Sequence, residues 1–157
     1  MTLELWCIGK THFDFVNKGV EEFEGRIKHY IKFKIEYIDA YRQKNGDKPL
    51  NVKEKEGELI LKKINQSDYL ILLDENGKIF DSVGFADYIE KKLFSVGKKL
   101  IFLIGGAYGF SPKIYERAND KISLSRMTFS HQLIRLIFSE QLYRAFTIIK
   151  NEKYHNN

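Results

Sequence analysis

The apolar positions fall into short continuous runs separated by stretches of helical spacing. Leu3 to Ile8 (LELWCI) predicts a strand, closed by Gly9-Lys10. Phe13, Val16, Val20, Phe23, Ile27 and Tyr30 then recur at steps of three and four, which predicts an amphipathic helix. Lys34 to Ala40 (KIEYIDA) predicts a second strand, and the polar residues 42 to 48, with an Asn-Gly pair, a loop. Pro49 suits the first turn of a second helix reaching to about Ile64. The mixed-sign run Lys53 to Glu58 (KEKEGE) reads as a solvated face of that helix. Tyr69 to Leu73 (YLILL) is a third strand, with a turn at Asp74-Glu75-Asn76-Gly77, and Phe85, Ile89 and Leu93 mark a third helix. Leu100 to Ile104 (LIFLI) is a fourth strand, leading into a glycine-rich turn and a short helix opened by Ser111-Pro112. Lys121 to Ser125 makes a fifth strand, and Ser130 is placed to cap a last helix running to about Ile149. Apolar strands alternating with helices imply an α/β fold, a parallel sheet flanked by helices on both faces.

The last helix is apolar around most of its circumference: Leu133, Ile134, Leu136, Ile137, Phe138, Leu142, Tyr143, Ala145, Phe146, Ile148 and Ile149. Such a helix is buried on more than one side. A second subunit related by twofold symmetry is the favoured cover; a central core helix within one chain is the alternative.

Length and composition narrow the class. A chain of 157 residues is one domain long, residues 1–157. One cysteine, Cys7, excludes an intrachain disulfide framework and suits a reducing, cytoplasmic setting. The apolar runs are too short to span a bilayer, and Met1-Thr2-Leu3-Glu4 lacks the basic head and apolar stretch of a signal peptide. No membrane partner is expected. The net charge of +5 favours a polyanionic partner no more strongly than it favours a lysine-rich surface without one.

Chemistry gathers where strands end. Ile104-Gly105-Gly106-Ala107-Tyr108-Gly109-Phe110 follows a buried strand, and its glycines permit positive φ and close approach of a ligand to the backbone. The pattern is neither a Walker loop nor a Rossmann fingerprint, and a purely structural tight turn is a serious rival. Leu73-Asp74-Glu75 and the segment Leu124 to Phe129 leave two further strands at the same edge. Open α/β sheets bind ligands there, so the three exits can enclose a nucleoside-sized molecule. Glu140 and Arg144 stand four apart, and a helix-surface ion pair explains them more simply than catalysis. The tail from Lys150 could extend up to ~27 Å, enough to cross a dimer interface, although a terminal Tyr154-His155 is more often frayed surface. His12, His29 and His131 have no ligand partner at a recognisable spacing, so no metal is expected.

LIGGAYGFSP (103 to 112), LSRMTFSHQLIRL (124 to 136), EQLYRAFTI (140 to 148) and the closing Tyr154-His155 together resemble the RlmH-type methyltransferases of the SPOUT class. The likeness runs the full chain and includes Ile8-Gly9-Lys10 and Lys55-Glu56-Gly57. The resemblance implies methyl transfer from S-adenosyl-L-methionine to N3 of a pseudouridine in 23S ribosomal RNA, on the large subunit or assembled ribosome. It also implies a C-terminal trefoil knot and a homodimer. By matching motif positions, the cofactor contacts are Leu73, Gly105, Leu124, Ser125, Arg126, Met127, Thr128 and Phe129. Tyr154 and His155 become candidates for organising the target nucleotide, Arg144 a candidate for RNA or active-site contact, and Glu140 its orienter. His155 is also a candidate proton acceptor, because an imidazole titrates near neutrality. The chain departs from the family at Asn156, where a basic residue is common, which puts a terminal phosphate contact in doubt. Two other classes stay open at this point. One is a non-catalytic RNA- or ribosome-binding module; the other is a nicotinamide-dependent oxidoreductase, which the misplaced GGxxG argues against.

Overall fold

In a computed structural model that describes residues 1–156, strands and helices alternate along the chain. They are β1 (Thr2–Ile8), α1 (Asp14–Ile27), β2 (Phe33–Ile38), α2 (Pro49–Lys63), β3 (Tyr69–Ile79), α3 (Ser82–Ser95), β4 (Lys99–Ile104), α4 (Pro112–Arg117), β5 (Asp120–Ser123) and α5 (Leu133–Ile149). All strand pairs are parallel, and the sheet order is β2-β1-β4-β3-β5. Strand periodicity divides the core into two. Leu3, Leu5, Cys7, Ile71, Leu100, Phe102 and Ile104 pack with Phe85, Ile89, Phe138, Leu142 and Phe146 on one face. Trp6, Ile8, Leu70, Leu72, Ile101 and Leu103 point the other way, to Ile60 of α2 and Ile114 of α4. The continuous apolar runs follow from that burial on both faces.

Two expectations need correction. Asp74-Glu75-Asn76-Gly77 does not reverse the chain; β3 continues to Ile79 around an irregularity at which both Leu73 and Lys78 pair with Ile122. The turn-forming residues are absorbed by this bulge. The Asn76 N–H donates to Asp74 Oδ1 at 2.8 Å, and at Gly77 a Cβ would lie 2.4 Å from the Ile122 backbone. The run Lys53 to Glu58 is only partly a solvated face: Glu54, Lys55 and Glu58 are exposed, but Glu56 and Gly57 are buried and Lys53 is half-buried.

The last helix is covered within the chain, packing against both α1 and α3. None of its residues is exposed, although Leu133, Leu136 and Ile137 are only half-buried. Much of its apolar circumference is therefore accounted for by a single subunit. Ser130 caps the turn leading into it, taking the Leu133 N–H on Oγ at 3.1 Å.

Candidate functional site

A cavity of about 580 Å³ lies at the carboxyl edge of the sheet, bounded by the exits of β3, β4 and β5. Its size falls in the range of small-molecule sites. Of the residues expected to contact a cofactor, Leu73, Gly105, Leu124, Ser125, Met127, Thr128 and Phe129 line it. Arg126 does not line it and is exposed.

The glycine turn forms one wall. Gly106 and Gly109 face each other across an isolated bridge, the Gly109 N–H donates to Gly106 O at 3.1 Å, and Gly109 sits at φ 76°. At Gly105 and Gly106 a side chain has no room. A Cβ at Gly105 would approach Phe110 Cε1 to 3.1 Å, and one at Gly106 would meet Glu56 Oε2 at 2.7 Å. At these two glycines the wall is bare backbone, whose N–H and C=O groups can hydrogen-bond a polar ligand. Opposite it, the Asp74 carboxylate accepts from the Tyr115 hydroxyl. Burial, and then this contact, push the Tyr115 phenol up to about 12, so it remains a donor. Thr128 Oγ1 donates to Glu75 Oε2 at 3.3 Å, joining the β3 exit to the segment after β5.

That segment, residues 124–132, forms the roof. It starts from the edge strand β5 and returns over the ends of β3 and β4 towards β1. Two side chains fasten its far end. Gln132 Oε1 accepts the His12 N–H at 2.8 Å, and its Nε2 donates to Lys10 O at 3.1 Å. Arg135 is fully buried; it donates to Ile8 O at 2.7 Å, to Gly9 O and Thr11 Oγ1 at 3.0 Å each, and to His131 O at 3.0 Å. These acceptors explain how a cation persists in the core without a carboxylate partner. Sequence reasoning passed over both residues, although Arg135 is the sole charged residue between Leu133 and Ser139. His131 lines the cavity, and burial, with Arg135 and His12 nearby, lowers its pKa.

A second cluster lies further along α5. Arg144 Nη2 donates to Glu140 Oε1 at 2.5 Å, confirming the ion pair expected from spacing. The tail is folded rather than frayed: Asn151 adopts φ 55° and the chain turns back onto its own helix. The Tyr154 hydroxyl donates to Glu140 Oε1 at 3.1 Å, its ring lies 4.8 Å from the Arg144 guanidinium, and it packs edge-on against Tyr143. Burial and the Glu140 charge raise the Tyr154 pKa, keeping the phenol protonated. Arg144 Nη1 lies 3.4 Å from His155 Nδ1. A guanidinium only donates, so a hydrogen bond here requires Nδ1 as the acceptor. Glu140, Arg144, Tyr154 and His155 are thus brought together, but none lines the cavity. Ten residues of helix, about 15 Å, separate Arg144 from Ile134 in the cavity wall.

Cys7 is inert in this setting. Burial pushes its thiol up to about 12. Among the described residues, no helix is long and apolar enough to cross a membrane.

The family profile described as "Predicted SPOUT methyltransferase" matches residues 1–155. A protein of Christiangramia forsetii named ribosomal RNA large subunit methyltransferase H is 54% identical over 157 residues, 99% of both chains. Its namesake from Parabacteroides distasonis is 51% identical over 156 residues, again 99% of both. That from Cytophaga hutchinsonii is 52% identical over 157 residues, 99% of this chain and 100% of the relative.

Proposed function

The chain belongs to the SPOUT methyltransferase family, and from that premise we propose that it methylates N3 of a pseudouridine in 23S ribosomal RNA, acting as a cytoplasmic homodimer on the assembled ribosome. SPOUT methyltransferases use S-adenosylmethionine, and the names of the relatives supply the large-subunit RNA as substrate. The observation that carries the reading is the convergence of three strand exits on one cavity walled by bare glycine backbone. The cavity fits the cofactor in size and in its mixture of apolar side chains and backbone polar groups. Leu73, Gly105 and the segment Leu124 to Phe129 would hold it, with Arg126 turned outward and free to meet RNA phosphate. When bound, the cofactor supplies a methyl group already activated on a sulfonium. The main task left to the protein is to place the two reactants.

Glu140, Arg144, Tyr154 and His155 form the nucleotide side of the site in this reading. Glu140 holds the guanidinium, and Tyr154 offers a ring for an unpaired base to stack on. Any hydrogen bond from Arg144 to His155 Nδ1 must break before that nitrogen can accept the N3 proton. Because cavity and cluster stand apart on one chain, a homodimer is the economical way to join them, with the tail of one subunit completing its partner's cavity. Half-buried Leu133, Leu136 and Ile137, together with exposed Phe13 and Phe15, supply apolar surface for such an interface. The return of residues 124–132 from the sheet edge to β1 supports reading the C-terminal part as the trefoil knot of this family.

Isothermal titration with S-adenosylmethionine tests the cavity: wild type binds and Gly105→Arg does not. Equal affinity removes the cavity from the account. Mass-spectrometric mapping of 23S RNA, after incubating undermethylated ribosomes with enzyme and cofactor, tests the reaction. No added methyl on pseudouridine favours the non-catalytic RNA-binding alternative.

A further inference from the structure

We infer that Glu56 is a specificity-determining residue whose carboxylate, acting through the glycine turn, makes the cavity prefer the cationic methyl donor to its neutral demethylated product. The inference rests on the cavity being the cofactor site. Glu56 projects from α2 into the protein and is 6% exposed. A Cβ built on Gly106 would lie 2.7 Å from its Oε2, so the carboxylate abuts the turn where the turn has no side chain. On its other side Gly106 lines the cavity. The Gly106 backbone therefore stands between this carboxylate and the cavity. The adjacent Gly57 holds α2 down at this point: a Cβ there would meet Ser111 Oγ at 2.5 Å.

The carboxylate lacks a cation of its own. Among the described residues no lysine, arginine or histidine forms an ion pair with it. Glu4, the other buried glutamate, is matched by Lys99 at 3.4 Å. An unpaired buried carboxylate is costly, and burial raises its pKa. A ligand bearing a sulfonium would supply the missing counter-charge across the turn, where screening of a buried carboxylate is weaker than between exposed charges. The other charges at the cavity are placed differently. Asp74 is engaged by Tyr115, Glu75 is exposed beside Thr128, and half-buried Lys53 opposes a cation.

S-adenosylmethionine and S-adenosylhomocysteine differ by one methyl and one positive charge, so the ratio of their affinities isolates this effect. Titration at about pH 8 should show Glu56→Gln weakening S-adenosylmethionine binding about ten-fold. S-adenosylhomocysteine binding should change less than two-fold, which also reports that the variant is folded. Glu56→Asp, which keeps the charge, should retain the preference for the donor. Equal loss of both ligands, through misfolding or otherwise, makes Glu56 merely structural and overturns the inference, as does an unchanged ratio. If Gly105→Arg leaves both affinities intact, the cavity assignment is what fails.

Discussion

Removing the Arg135 guanidinium should loosen the roof of the cavity and the fold together. In Arg135→Met the apolar stem is kept, but Ile8 O, Gly9 O, Thr11 Oγ1 and His131 O lose their donor. Each buried acceptor left unsatisfied costs ~1–3 kcal/mol. The total is reduced because the variant no longer buries a charge, and water can reach Thr11 and His131, which are half-buried. A net loss of ~3 kcal/mol follows, about 6–12 °C in Tm for a chain of this length. The assay is urea unfolding at fixed protomer concentration, since dimerisation would make stability concentration-dependent. Cofactor affinity should fall with it, because Arg135 ties the roof to the exit of β1. Arg135→Lys should fall between the two, as one ammonium cannot span the acceptors that the planar fork reaches. A change below about 0.5 kcal/mol with unaltered cofactor affinity would refute the claim that Arg135 fastens the roof.

Two further predictions follow from residues away from the cavity. With its thiol pushed up to about 12 by burial, Cys7 should resist iodoacetamide in the native protein near pH 8 and react fully in denaturant. The same shift favours the protonated thiol in the folded state, so this contribution to stability is present below the unfolded pKa near 9 and is lost as pH rises towards 12. Rapid native labelling would contradict the burial. Asp81→Ala removes the carboxylate that takes the Gly84 N–H at 2.7 Å at the start of α3, and should cost about 1 kcal/mol in urea unfolding.

The order of elements was legible because continuous apolar strands and helical spacing are distinct signals, and both faces of this sheet are buried. The three strand exits could be placed at one edge for the same reason. What escaped was decided by tertiary contact. Asp74 to Gly77 has turn chemistry, and only the close approach of Ile122 shows that a bulge absorbs it. Glu56 lies in a run of charges that looks solvated, and its burial depends on the glycine turn meeting α2. Arg135 is a cation in an apolar helix, a detectable anomaly, but its acceptors are 124 to 127 residues away along the chain for three of its four bonds. Tyr154 and His155 were given a role by family resemblance alone, since nothing in their spacing shows the tail folding back onto Glu140 and Arg144.

The central claim is a methyl-transfer site shared between two subunits, and mixing two inactive variants tests it most directly. Gly105→Arg blocks the cavity and leaves the tail; deletion from Tyr154 onward removes the tail and leaves the cavity. Co-refolded in equal amounts, about half of the dimers are mixed, each with one complete site, so roughly a quarter of wild-type ribosome methylation should return. A mixture as inactive as its components, with mixed dimers verified, would contradict the account.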